Sequence, residues 1–187
     1  MKKSKLEAAE TRRRIVKTAA AEFRRNGIHA TGLSDVMAAA GLTHGGFYRH
    51  FGSKDQLVAE ACAAAMDENI VTSACYGAAN PSLEAIVTAY LCPDHRDNLS
   101  GGCLLPGLGT ELARSDDKTR AVATAGFIKF LDLIAEQYRR TKPKTAKARA
   151  LVAASAMIGA VMMSRIVTDP ELSAAILRHT KEHLLNS

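Results

Sequence analysis

Residues 41–57 read GLTHGGFYRHFGSKDQL, and their four glycines limit what this part of the chain can become. Each glycine inside a helix costs about 1 kcal/mol relative to alanine, so no long helix runs through the segment. Its flanks are nevertheless helical in pattern. Leu33, Val36, Met37 and Ala40 fall on one face before it, and a long periodic stretch begins at Lys54 after it. The spacing predicts a short helix over 33–40 capped by Thr31, a tight corner at Gly41, and Leu42 plugging the core. A third short helix then starts at a Thr43 cap and ends at Arg49 or His50. Phe47, five residues after Leu42 and four before Phe51, points inward. Ser53 caps a longer helix from Lys54 to about Tyr76. Two short helices joined through a glycine corner form a helix-turn-helix unit.

The remaining chain is helical in the same way, and no stretch alternates as a strand does. Ile15, Ala19 and Phe23 mark a helix from about Glu7 to Asn26, stopped by Gly27. Pro81 and Ser82 start a helix reaching about Leu91, residues 92–102 are a loop, and a short helix lies near 104–114. A long helix opens at SDDKTR, with Val122, Phe127, Phe130, Leu131, Ile134 and Tyr138 spaced for burial. After the TKPKT turn, the last two helices cover roughly 146–167 and 170–185, Pro170 suiting a first turn. The fold class is therefore all-α, with about nine helices. A three-helix unit at residues 1–53 precedes a larger helical domain at 54–187.

Composition narrows the function classes. The longest apolar stretch, residues 150–163, falls short of the roughly 18 residues of a membrane span. The basic N-terminus leads into no apolar segment, unlike a secretory signal, so a cytoplasmic protein is expected. Cys62, Cys75, Cys92 and Cys103 form no CxxC pair and are expected as free thiols. The net charge of +6 is lopsided. Residues 1–54 carry 11 Lys and Arg against 4 Asp and Glu, or +7, whereas residues 55–187 carry 14 against 15, or −1. A polyanion-binding head on a neutral body accounts for this, as does a solvated basic arm.

The order Thr31, Gly41, Phe47-Tyr48, His50 and Phe51-Gly52-Ser53-Lys54-Asp55 resembles the DNA-binding region of the TetR family of transcriptional regulators. The resemblance covers about residues 10 to 65. It implies a homodimer that binds a palindromic double-stranded DNA operator and answers to a small-molecule effector, acting as a repressor. The physical logic agrees. A recognition helix lies in the major groove, and bare backbone at Gly45 and Gly46 lets it approach. Tyr48 is placed to put its hydroxyl on a phosphate, with His50 next in the same pattern. His44 and Arg49 are the candidates for base edges. Lys54 forms a phosphate clamp, and Thr31, Ser34 and Thr43 position the unit on the backbone. Lys2, Lys3, Lys5 and Arg12 to Arg14 read either as a solvated face or as an arm in the minor groove.

Enzyme readings find less support. HGGF lacks the Lys-Ser/Thr of a P-loop and the preceding strand, and no nucleophile elbow accompanies it as an oxyanion-hole motif requires. Cys92, His95 and Cys103 match no common zinc module, so neither metal nor cofactor is expected. The alternative from another class is a helical enzyme or ligand carrier using Cys103 and His95. The segment GGCLLPGLGTELARS resembles the Gly-Cys-Leu segment in a branch of TetR-like proteins, some of which sense electrophiles or oxidants through that cysteine. At a helix start the dipole favours a thiolate; a small buried core residue is the other reading of Cys103. The resemblance implies an apolar effector pocket, for which Phe127, Phe130, Met66, Met162 and Tyr90 are candidates. The last two helices are expected to dimerise through Ala153, Ala154, Ala156, Gly159 and Ala160 beside Ile158, Met162 and Ile166. Leu172, Ile176, Leu177 and Leu184 add a face on the final helix.

Overall fold

The computed structural model describes residues 5–75 and 81–186, with the side chains of 68–75 outside that description. The arm lysines Lys2 and Lys3, and the expected helix end at Tyr76, therefore lie outside the described residues. Helix α1 (Lys5–Asn26) buries Ile15, Ala19 and Phe23 and is stopped by Gly27, whose φ of 89° few other residues tolerate. Helix α2 (Leu33–Ala39) buries Val36 and Met37. Gly41, at φ 70°, turns the corner. Residues His44–Arg49 then form a 3-10 helix, not an α-helix. The paired glycines explain the difference: a short 3-10 run tightens the chain where α-propensity is lowest.

Two expected caps differ. Thr31 is buried and its hydroxyl donates to the Gly27 carbonyl at 2.6 Å, so it pins the loop. Gly32 occupies the cap position of α2, and the Asp35 carboxylate accepts its N–H at 2.9 Å. Thr43 starts the 3-10 helix without a side-chain cap bond. Ser53 does cap the next helix, accepting from the Gln56 N–H at 3.1 Å.

Helix α3 (Lys54–Cys75) packs on α1 at one end and on a long body helix at the other. The body continues with α4 (Leu83–Tyr90), α5 (Pro93–Asp97), α6 (Leu105–Leu112) and α7 (Asp117–Arg139). A 3-10 turn at Pro143–Thr145 leads to α8 (Ala146–Ile166) and α9 (Pro170–Asn186). Helix α5 falls where a loop was expected. Pro93 suits its first turn, and the Cys92 sulfur accepts the His95 N–H at 3.4 Å in place of an oxygen cap. No strand occurs among the described residues. One core runs without interruption from Phe23, Phe47 and Phe51 through Leu57 to Phe130 and Met157.

The stretch Pro143–Ile166, the 3-10 turn plus α8, is long and apolar enough to cross a membrane by length and composition, although residues 150–163 were expected to fall short. Helix α8 packs instead between α7 and α9. Ala153, Ala154 and Ala160 face that interior, so these small residues serve packing within the protomer and not against a partner. The exposed stripe is Val152, Ser155, Met162, Met163 and Ile166, with Gly159 open beside it. On α9, Leu172 is exposed while Leu177 and Leu184 are buried.

Candidate nucleic-acid interface

The recognition segment is anchored from below by two aromatic rings. Phe47 is fully buried and stacks on Phe51 at 5.4 Å, while Tyr48 meets Phe47 edge-on at 5.1 Å and stays 66% exposed. Ser34, Thr43, His44, Gly45, Tyr48 and Arg49 are exposed. In a 3-10 helix, side chains three apart share a column, so Gly45 stands in the column of Tyr48. A Cβ at Gly45 would meet nothing within 4 Å. Gly45 thus leaves backbone bare toward solvent. Gly46 differs from expectation: its missing Cβ faces Met37, 3.6 Å away, inside the unit.

Lys54 is also used differently from a free phosphate clamp. Its ammonium donates to the carbonyls of Ile28 (2.8 Å) and Thr31 (2.7 Å), closing the α1–α2 connection onto α3. Thr31, being buried, offers no hydroxyl to a phosphate. His50 is half-buried, and its carbonyl accepts Arg12 Nε at 3.2 Å. Arg12 was no more than part of a basic run in the sequence. It lies over the Phe51 ring, 4.5 Å to the centroid, and binds both oxygens of Glu60 on α3, one of them at 2.6 Å. This one side chain ties the end of the recognition segment to α1 and α3.

Behind the head, the body candidates cluster around Tyr90. Tyr90 stacks on Phe130 at 5.4 Å and meets His95 at 4.5 Å. Met66, Tyr90 and Phe130 are buried, and Phe127 is half-buried against the same core. Met66 fills its space closely, since a Cβ on Gly126 would fall 2.4 Å from its methyl group. Met162 belongs elsewhere, on the exposed stripe of α8. It stands outside this cluster because α8 turns Met157, Ala160 and Val161 inward instead.

Cys103 is buried, and burial raises its thiol pKa, outweighing the helix-start position expected to lower it. Its Sγ meets the enclosed Tyr90 hydroxyl, whose pKa burial also raises. His95 does not face the thiol as a base would. Its Nε2 accepts the backbone N–H of Cys103 at 2.9 Å, and its Nδ1 donates to the Tyr90 carbonyl at 2.7 Å. Both partners fix the neutral tautomer, and burial lowers the imidazole pKa further. Among the described residues no group of three or more His, Cys, Asp or Glu converges as a metal site. Cys62, Cys92 and Cys103 are free; the Cys75 side chain lies outside the described residues.

Hydrogen bonds also join the body to the head at residues that had no sequence signal. Arg24 on α1 donates to the Gly102 carbonyl at 3.4 Å, and the Glu111 carboxylate on α6 accepts the His29 N–H at 2.8 Å.

An exposed short helix on a buried aromatic base, cornered by a left-handed glycine and joined to a helical body, defines a helix-turn-helix DNA-binding regulator. Residues 15–61 match the family model of bacterial regulatory proteins of the tetR family. An uncharacterized HTH-type transcriptional regulator of Mycobacterium tuberculosis is 30% identical over 169 residues, covering 84% of this chain and 86% of the relative. The probable acrEF/envCD operon repressor of Escherichia coli is 42% identical over 59 residues, 32% of this chain and 27% of that protein. A solved TetR transcriptional regulator from Chloroflexus aurantiacus superimposes with a TM-score of 0.77 at 29% identity, covering 96% of this chain and 94% of that one. The chain belongs to the TetR family of transcriptional regulators.

Proposed function

We propose that the protein represses transcription as a homodimer on a palindromic operator and lets go when a small molecule binds its body. The observation that carries this is the exposed Tyr48–Arg49 face held rigid by the Phe47–Phe51 stack and the Arg12–Glu60 clamp. Residues 1–53 act as the DNA-binding head and 54–187 as the effector-binding and dimerising body. His44 and Arg49 reach base edges, Tyr48, Ser34 and Thr43 contact phosphates, and Gly45 admits the backbone to the groove. Lys54 and Thr31 hold these groups in place from beneath. His50 supports the end of the segment.

Repression is supported by the operon repressor whose head resembles this one. The apolar stripe Val152, Met162, Met163 and Ile166 supplies the face for a second copy, and two-fold symmetry matches two half-sites. The protein acts by binding and not by catalysis, in the cytoplasm where its DNA lies. Noncovalent effector binding fits the buried thiol of Cys103 better than modification does. Selection of bound sequences from random DNA tests the reading. An enriched palindrome is expected; no enrichment would overturn it.

A further inference from the structure

A cavity of about 400 Å³ opens between α5 and the α8–α9 turn, and its Arg165 backs onto Tyr90. Its lining combines apolar residues, Leu99, Val167 and Pro170, with polar ones, among them Arg96, Asp97, Arg165 and Ser173.

Arg165 is the unusual member. Among the described residues its guanidinium donates to backbone carbonyls, of Arg96 at 2.8 Å and His95 at 3.0 Å. No carboxylate lies within ion-pair distance of it among the described residues. On its inner side stand the Tyr90 hydroxyl and Cys103 thiol, and burial keeps both protonated. Asp97, the carboxylate whose charge it feels, is already held by Arg96 through both oxygens, at 2.7 and 3.0 Å. A partly buried cation without a direct counter-ion is costly to maintain. Arg96 also donates to the Ser173 hydroxyl at 3.0 Å, and that hydroxyl donates onward to the Ser164 carbonyl at 2.7 Å. The cavity's charged groups are Arg96, Arg165 and Asp97, an excess of one positive charge.

We propose that this cavity binds a small carboxylate with a short apolar chain, the carboxylate seated on Arg165 and Arg96 and the chain against Leu99, Val167 and Pro170. The site also has a route to the head. Arg165 Nη1 and the Arg24 carbonyl each lie 3.8 Å from where a Cβ of Gly107 would stand, so both border α6 at this glycine. A ligand that draws Arg165 outward loosens its hold on the α5 carbonyls and alters how α6 sits on the end of α1. This consequence, unlike the binding itself, rests on the ligand-responsive reading above.

Thermal unfolding of the full chain in sodium butyrate, with butyramide as the uncharged isostere at matched ionic strength, tests the site. Butyrate is expected to raise Tm saturably and butyramide to leave it unchanged. Arg96→Gln and Arg165→Gln are each expected to weaken the butyrate response at least tenfold. Equal responses to butyrate and butyramide would overturn the proposal. So would a butyrate response that survives Arg96→Gln, which decides the matter alone if Arg165→Gln fails to fold. Inorganic phosphate acting more strongly than butyrate would overturn the carboxylate assignment. Operator binding, measured without any additive, stands or falls separately from these results.

Discussion

Glu111 on α6 accepts the backbone N–H of His29, 82 residues earlier in the chain, at 2.8 Å. The same carboxylate occupies the space beside Gly27, where a Cβ would come within 2.8 Å of its oxygen. Gly27 therefore answers two demands, a φ of 89° and room for Glu111. Gly27→Ala is expected to cost about 1–2 kcal/mol from the left-handed backbone and to push Glu111 off His29. Thermal unfolding will show a Tm lowered by several degrees, with effector response weakened as well. An unchanged Tm would contradict this account.

The exposed face of the recognition segment separates binding from folding. Tyr48→Ala and Arg49→Ala each remove a side chain that packs little, so far-UV circular dichroism should match the parent protein. Operator affinity, read by fluorescence anisotropy, is expected to fall at least tenfold, about 1.4 kcal/mol. Arg49→Ala should also relax base preference, whereas Tyr48→Phe should weaken all sequences alike.

The Arg12–Glu60 clamp should leave a signature in acid. The Arg12 hydrogen bonds, followed by the one from Gln56, hold the Glu60 carboxyl below the ordinary value of 4.5. A depressed folded pKa stabilises above the unfolded value and loses that contribution as pH falls through the folded one. In urea at pH 7, Glu60→Gln is expected to unfold at lower denaturant than the parent protein. At pH 3 the gap between the two midpoints should be smaller. A constant gap at both pH values would show that the carboxylate's charge is irrelevant.

Thiol reactivity follows burial. Desolvation pushes the Cys62 thiol up to about 11 and raises that of Cys103, whereas Cys92 is only half-buried. Iodoacetamide added to native protein at pH 7.5 is expected to label Cys92 ahead of both. Faster labelling of Cys103, resolved by peptide mass spectrometry, would restore the sensor reading.

The stripe on α8 predicts the oligomeric state. Val152 and Ile166 are 64% and 63% exposed, at opposite ends of the stripe. Val152→Glu with Ile166→Glu places four like charges across a two-fold interface. Sedimentation should then report a monomer whose operator affinity is much reduced. A variant that remains dimeric would move the interface elsewhere.

Much of this molecule is legible residue by residue, because local rules govern it. A glycine that must adopt positive φ stops α1 at Gly27 and turns the corner at Gly41, and periodicity alone sends Phe47 and Phe51 inward. Ser53 caps α3 for the same kind of reason, since its partner is three residues away. The order of these features determined the family, the all-helical class and the exposed Tyr48–Arg49 face. Tertiary structure decided what depends on groups distant in sequence. Lys54 could have met phosphate, but the carbonyls of Ile28 and Thr31 reach it first. Cys103 stands just before the start of α6, but its enclosure with Tyr90 outweighs the dipole, because desolvating a charge costs more than a helix end returns. The alanines of α8 suit either a partner or the protomer's own interior, and only the placement of α7 and α9 assigns them to the latter. Short-range geometry is written in neighbouring residues, whereas burial and charge pairing belong to the packed whole.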